Sequence, residues 1–221
     1  RVMDTSDEWI VQRTGIRERR MADYKHGEGV STLGARALTK ALANAKLSAD
    51  DLDLIICATM TPEMECPASA CLVANQIKAT RAGAFDLNAA CSGFVFGLNI
   101  AHELIRSGGY KTIGLIGADT LSKLMNYSTA GRSTAIIFGD GAGWKDIYVP
   151  HYDADFPPGV TPDPAHCGYV AMNGASVFKF AVSTFPGLIR ETLEKANLTP
   201  DKIDMYVCHQ SNARILGAAR E

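Results

Sequence analysis

Eleven consecutive residues, Leu47-Ser-Ala-Asp-Asp-Leu-Asp-Leu-Ile-Ile-Cys57, return as Leu198-Thr-Pro-Asp-Lys-Ile-Asp-Met-Tyr-Val-Cys208 at a constant offset of 151. Each copy follows an amphipathic segment, one over 31–46 (Leu33, Ala37, Leu38, Ala41, Leu42, Ala45) and one over about 183–196. Each ends in an apolar run that reads as a buried strand. A helix, a turn and a strand occurring twice predict two homologous halves related by a pseudo-twofold. The first half continues past its strand to residue 138, whereas the second stops 13 residues after Cys208, so much of the second is expected to be absent. The chain opens on Arg1 rather than Met, and a missing amino end is expected too.

Between the copies lies Ala84-Phe-Asp-Leu-Asn-Ala-Ala-Cys-Ser-Gly-Phe-Val-Phe-Gly-Leu-Asn-Ile-Ala-His-Glu-Leu-Ile-Arg106. A short apolar run passes through small residues at 88–90 into a helix-period segment ended by Ser107-Gly108-Gly109. Phe94, Leu98, Ala101 and Ile105 recur at helical steps and Val95 and Phe96 add bulk, so most of this helix is expected to be buried. Cys91 falls where strand turns into helix. Unpaired N–H groups and the positive end of the helix dipole favour its thiolate, which makes a nucleophile. The competing reading is a small buried hydrophobe, since cysteine is among the most buried residue types.

The rest of the chain narrows the chemistry. Thr5 or Ser6 can cap a short helix on which Trp9 and Arg13, four apart, share a face. An aromatic plane beside a guanidinium suits a nucleotide, and equally a Trp packed under an Arg stem. Thr112–Ala118 and Ser133–Phe138 read as strands, and Gly139-Asp-Gly-Ala-Gly143 as a tight turn with only weak phosphate-binding character. Residues 145–168, with five of the nine prolines, read as an irregular excursion or a junction. His209 closes the second repeat's strand, where symmetry would set it opposite Cys91 as a proton partner; a hydrogen-bonded structural histidine fits the same pattern. The net charge of −2 gives no broad drive toward nucleic acid or anionic membrane. No apolar run approaches the roughly 18 residues of a membrane span. The six cysteines contain no Cys-x-x-Cys pair, which argues against zinc and for reduced thiols in a cytosol-like compartment.

Six ordered motifs are similar to those of one family. Thr5-Ser-Asp-Glu-Trp-Ile, Arg13-Thr-Gly-Ile-Arg, Ala89-Ala-Cys-Ser-Gly-Phe, Phe138-Gly-Asp-Gly-Ala-Gly, Met172-Asn-Gly-Ala-Ser-Val-Phe-Lys and His209-Gln-Ser-Asn-Ala-Arg-Ile resemble the β-ketoacyl-acyl-carrier-protein synthase III family. These are thiolase-like condensing enzymes that initiate type II fatty acid synthesis. The resemblance implies an α/β fold of two pseudo-symmetric halves in a five-layered α-β-α-β-α sandwich, dimeric, with the Cys91 helix at its centre and the second half incomplete. It divides the chain into 1–143, the half carrying Cys91; 144–168, the excursion; and 169–221, a partial half carrying His209.

The same resemblance implies roles. Cys91 would carry the acyl primer from acetyl-CoA as a thioester, and malonyl-acyl-carrier protein would be decarboxylated to the carbanion that attacks it. His209 would donate a hydrogen bond to the malonyl thioester oxygen, and the Cys91 N–H would form part of the oxyanion hole. Trp9 and Arg132 would sandwich the CoA adenine and Arg13 would meet its phosphates. Thr5, Gly174, Phe178 and Asn212 would line the CoA and pantetheine channel, and Arg214 would help dock the acidic carrier protein. No metal or prosthetic group is implied, and the expected location is cytoplasmic, or plastid in a eukaryote.

Two departures stand out. The family's catalytic asparagine, in a later loop, and a glycine completing the oxyanion hole have no counterpart here, and Asn212 is not that asparagine; the 221-residue chain is expected to be catalytically crippled. Cys66 stands where some relatives carry phenylalanine limiting the acyl pocket, which suggests primers longer than acetyl. Two alternatives stay open: a related condensing enzyme of secondary metabolism, and a non-catalytic acyl- or CoA-binding protein. A Rossmann dinucleotide site on Gly139–Gly143 fails because those glycines do not open a helix near the amino end.

Overall fold

A computed structural model describes residues 3–18, 21–136, 147–148, 169, 171–172, 174–206 and 212–220. The chain groups into two compact units, Met21–Leu121 and Arg1–Arg20 with Ser122–Glu221.

The first unit is a parallel sheet between helices. Strand β1 (Leu54–Ala58) is central, flanked by β2 (Gly83–Leu87) and β3 (Ile113–Gly117), with Leu54 opposite Gly83 on one side and Ile113 on the other. A central parallel strand is covered on both faces, so its sequence is an unbroken apolar run. Ile55 and Cys57 face Val30, Leu38 and Leu42 of helix α2 (Val30–Ala45) and Val73 of helix α3 (Ser69–Ile77). Leu54 and Ile56 pack under Ala101 of helix α4 (Gly93–Arg106).

Two carboxylates satisfy helix N-termini that lack their own side-chain caps. Glu63 accepts from Ser31 N and Ser69 Oγ, and Asp86 accepts from the backbone N–H groups of Ser69 and Ala70. Burial works against the Glu63 charge, but the Ser31 and Ser69 donors outweigh it and hold the carboxyl below its ordinary pKa.

α4 departs from expectation. Only Gly93, Gly97 and Ala101 are buried, while Phe94, Val95, Phe96 and Leu98 stay 49–68 % exposed. The reason is steric. The helix meets the sheet through its smallest residues, and a Cβ at Gly97 would lie 2.5 Å from Leu115 Cδ1. Close approach on that stripe turns the bulky side chains away from the sheet, and they stay uncovered.

The second unit holds helix α1 (Asp7–Thr14), the short helix α5 (Arg132–Ala135), the antiparallel pair β4 (Ile147–Tyr148) and β5 (Ala171–Met172), the long helix α6 (Gly174–Lys195) and helix α7 (Ala213–Arg220). The strand expected over 133–138 is instead helical from 132 to 135. Thr134 Oγ1 donates to Gly131 O and Ile136 N to Arg132 O, so a local turn captures residues whose β-branching favours a strand. Residues 137–138, the glycine turn 139–143, and most of the 145–168 excursion lie outside the described residues. The strand expected at the second repeat is not formed over 204–206, where Met205 and Tyr206 are exposed; 207–211 lie outside the description.

The turn of the repeat is reproduced in its backbone. Lys46 and Asn197, 151 positions apart, both adopt left-handed conformations, at φ 58° and 55°. Leu47 N donates to Leu42 O and Leu198 N to Leu193 O, each at 2.9 Å. A single 3₁₀ turn follows each, entered from Ser48 and from Thr199 with the same φ of −107°. No helix among the described residues is long and apolar enough to cross a membrane.

Candidate active site

Strand β2 ends at Leu87, and Asn88 Oδ1 accepts from Ala90 N. Ala90 then takes φ +44°, and Ala90–Ser92 forms a 3₁₀ turn that runs directly into α4. An alanine there costs on the order of 1–3 kcal/mol and persists only where its surroundings over-determine it. Cys91 sits inside that turn, half-buried, one residue before the N-cap Ser92. Gly93 N–H donates to Ala90 O within this turn and no described side chain caps α4, so the positive end of the helix dipole lies next to Cys91 and favours its thiolate. Gly93 lets this first turn settle on β1; a Cβ there would lie 3.1 Å from Ala58 Cβ.

The other described thiols have different settings. Cys57 is wholly buried, and burial together with the charges of Asp86, Asp119 and Glu63 pushes it up to about 12, so it is inert at neutral pH. Cys71 is exposed and rests on Ala84 O, and Cys66 is exposed on the segment joining β1 to α3.

A second arrangement belongs to the other unit. Ser6 caps α1 by accepting from Trp9 N, and Gly15, at φ 77°, closes the helix where a Cβ would press on Ala213 of α7. Arg13 Cζ lies 4.1 Å from the Trp9 ring centroid and Arg132 Cζ 4.6 Å, so two guanidiniums stack on one indole. Arg132 is also held by Asp4 O at 2.8 Å, and Asp4 N by Thr129 Oγ1. The structure thus brings together Trp9, Arg13 and Arg132, which the resemblance had assigned to one nucleotide. Thr5 is half-buried beside this cluster in sequence. Gly174 opens α6 and Phe178 lies half-buried on its first turn. Asn212, 5 % exposed, caps α7 by accepting from Arg214 N, and the Arg214 side chain is exposed. His209 lies outside the described residues, so its expected pairing with Cys91 has no geometry here.

Sequence reasoning missed three carboxylates that shape the Cys91 unit. Beside Glu63 and Asp86 stands Asp119, whose Oδ1 accepts from Thr59 Oγ1, Met60 N and Thr61 Oγ1 at 2.8–3.2 Å. The Asp119 signal was available as hydroxyl residues and an acid just past the carboxyl ends of two adjacent parallel strands.

A cysteine in a strained strand-to-helix turn of a parallel α/β unit, in a chain with an internal repeat and a Trp–Arg stack, is the arrangement expected of a thiolase-like condensing enzyme. Comparison with known proteins narrows the class. The family model for 3-oxoacyl-[acyl-carrier-protein] synthase III matches residues 85–144. The chain is 40 % identical over 245 aligned positions to β-ketoacyl-[acyl-carrier-protein] synthase III of Caldanaerobacter subterraneus, covering 100 % of this chain and 73 % of that protein. It is 43 % identical to the enzyme of the same name from Clostridioides difficile, over 99 % and 73 % of the two chains. The crystal structure of the Thermus thermophilus synthase III matches with a TM-score of 0.86 at 35 % identity, over 99 % of this chain and 73 % of that one. The chain belongs to the β-ketoacyl-[acyl-carrier-protein] synthase III family.

Proposed function

We propose that the chain is an acyltransferase that condenses an acyl-CoA primer with malonyl-acyl-carrier protein and so initiates fatty acid synthesis. The observation that carries this is Cys91, set in a strained turn at an uncapped helix N-terminus in a chain with relatives at 40–43 % identity that are synthases of this kind. The Cys91 thiolate attacks the thioester carbonyl of acetyl-CoA; a new S–C bond forms, and the CoA thiolate leaves and takes a proton. Loss of CO2 from the malonyl group leaves a carbanion, which attacks the Cys91-bound acyl carbonyl and expels the Cys91 thiolate, giving the β-ketoacyl-carrier protein. His209 stabilises the enolate by donating a hydrogen bond, and the Cys91 N–H contributes to the oxyanion hole.

Trp9, Arg13 and Arg132 bind the nucleotide end of CoA, supported by their stacking in one cluster. Thr5, Gly174, Phe178 and Asn212 line the pantetheine path, and the exposed Arg214 meets the carrier protein. Cys66, smaller than phenylalanine, admits primers longer than acetyl. Neither partial reaction needs a metal or prosthetic group. A homodimer is supported by β2, an edge strand carrying the partly exposed Phe85 next to the apolar flank of α4. The unpaired thiols of Cys57, Cys66 and Cys71 favour a reducing, cytoplasmic location.

The test is incubation with radiolabelled acetyl-CoA, followed by peptide mapping and then by malonyl-acyl-carrier protein. Label on Cys91 that passes into a β-ketoacyl product supports the reading. Iodoacetamide labelling of Cys91 no faster than of Cys71, with no protection by acetyl-CoA, favours a passive binding protein instead.

A further inference from the structure

We propose that Asp119 is a positioning residue for the Cys91 turn, acting through the end of strand β1. The inference rests on the reading of Cys91 as nucleophile. The Cys91 turn leans on β1 at two points. Gly93 packs against the strand's last residue, where a Cβ would lie 3.1 Å from Ala58 Cβ, and Thr59 N donates to Leu87 O at 3.0 Å, the last β2 contact before the turn. Whatever fixes Ala58 and Thr59 therefore fixes the platform beneath Cys91.

On the far side of β1 the regular ladder stops after Ala118 N donates to Ala58 O. Asp119 then takes over. One oxygen, Oδ1, gathers the Thr59 hydroxyl, the Met60 N–H and the Thr61 hydroxyl. Thr61 closes the loop by accepting from Thr120 N at 2.8 Å, and Thr61 N donates to Thr59 Oγ1 at 3.1 Å. Four hydrogen bonds thus tie residues 59–61 to 119–120 where strand pairing has ended, and a fifth braces 59–61 internally. The path from Asp119 to Cys91 is contiguous: Asp119 to Thr59, Thr59 to Leu87, Leu87 through the left-handed Ala90 to the thiol. A strained turn needs over-determined flanks, and this network supplies the flank that the sheet does not.

Removing these bonds should let residues 59–61 relax while the apolar contacts that hold β1 itself between α2, α3 and α4 remain. Catalysis is steep in placement, an ångström costing up to about a hundredfold. Asp119→Leu, of similar size but without an acceptor, should therefore cut the maximal rate of Cys91 acylation by acetyl-CoA about 10- to 100-fold. The half-saturating acetyl-CoA concentration should stay within about twofold, because the nucleotide-binding residues belong to the other unit. Asp119→Asn keeps an oxygen in place of Oδ1 and should recover most of the rate. Thr61→Val, which removes one donor to Asp119 and the acceptor for Thr120 N, should fall between, and it stands in if the Leu variant does not fold.

Circular dichroism and thermal melting confirm that each variant is folded. Asp119→Leu at the wild-type rate, or Asp119→Asn as slow as Asp119→Leu, overturns the proposal, the second because it assigns the effect to charge rather than placement. A large rise in half-saturation overturns it as well. Wild-type protein that is never acylated on Cys91 overturns the proposed function and this inference together; acylated wild type with unaffected variants overturns this inference alone.

Discussion

Single residues carry most of what is peculiar to this chain. Thr120 is 5 % exposed, and its Oγ1 finds no partner among the described residues although its backbone N–H is paired. A buried unpaired hydroxyl costs about 1–3 kcal/mol. Thr120→Val keeps the shape and removes the orphan, so it should raise stability by about 1 kcal/mol, read as a higher melting temperature. The Trp9 stack makes a different kind of prediction. At 4.6 Å from the ring, Arg132 leaves no room for an aromatic base, since two layers of contact need about 7 Å. If the nucleotide of acyl-CoA binds here as proposed, it must draw the guanidinium away, and Trp9 fluorescence should change on adding CoA. Arg132→Ala removes the guanidinium that would close on the base's outer face in the proposed complex, about 0.5–1 kcal/mol, and should raise the KM for acyl-CoA about two- to fivefold with kcat little altered.

At the scale of elements, periodicity was informative wherever one neighbour decided the outcome. β1, β3 and α2 fall within a residue or so of their apolar runs, and the repeat located both 3₁₀ turns. What was not legible depended on partners remote in sequence. The burial of α4 was misjudged because an apolar count says nothing of which side meets the sheet, and Gly93, Gly97 and Ala101 settle that by size. The Ser133–Phe138 run obeyed strand propensity, but a hydroxyl-to-carbonyl bond from Thr134 made a helical turn. Asp86 capping α3 from 17 residues away has no local signature. The glycine stripe yields its own test. Gly97→Val should drive Leu115 aside, lift α4 from the sheet and cost about 1–3 kcal/mol, measured by urea unfolding.

The molecule as a whole is pH-sensitive through carboxylates that serve as hydrogen-bond acceptors. Asp53 is lowered by the N–H groups of Thr112 and Lys111, Asp51 by Ser48, Glu28 by Asp23 N and Arg36, and Glu63 by Ser31 and Ser69 against its desolvation. A carboxylate with a depressed folded pKa adds stability that is complete above its unfolded value, near 4, and is lost as pH falls through the folded one. Asp119, raised by its burial despite its donors, works the other way, so melting temperature should not fall from neutral pH down to about 5 and should fall steeply below about 4. A profile that already falls above pH 6 on acidification would point to histidines.

The wholly enclosed Cys57 turns the central strand into a stopwatch. Its sulfur is silent to alkylating reagents while the sheet is closed, so any modification there records a moment when β1 was laid open. Mass spectrometry of that one peptide over time would report how often the innermost strand breathes, in the same tube and with the same reagent that interrogates Cys91.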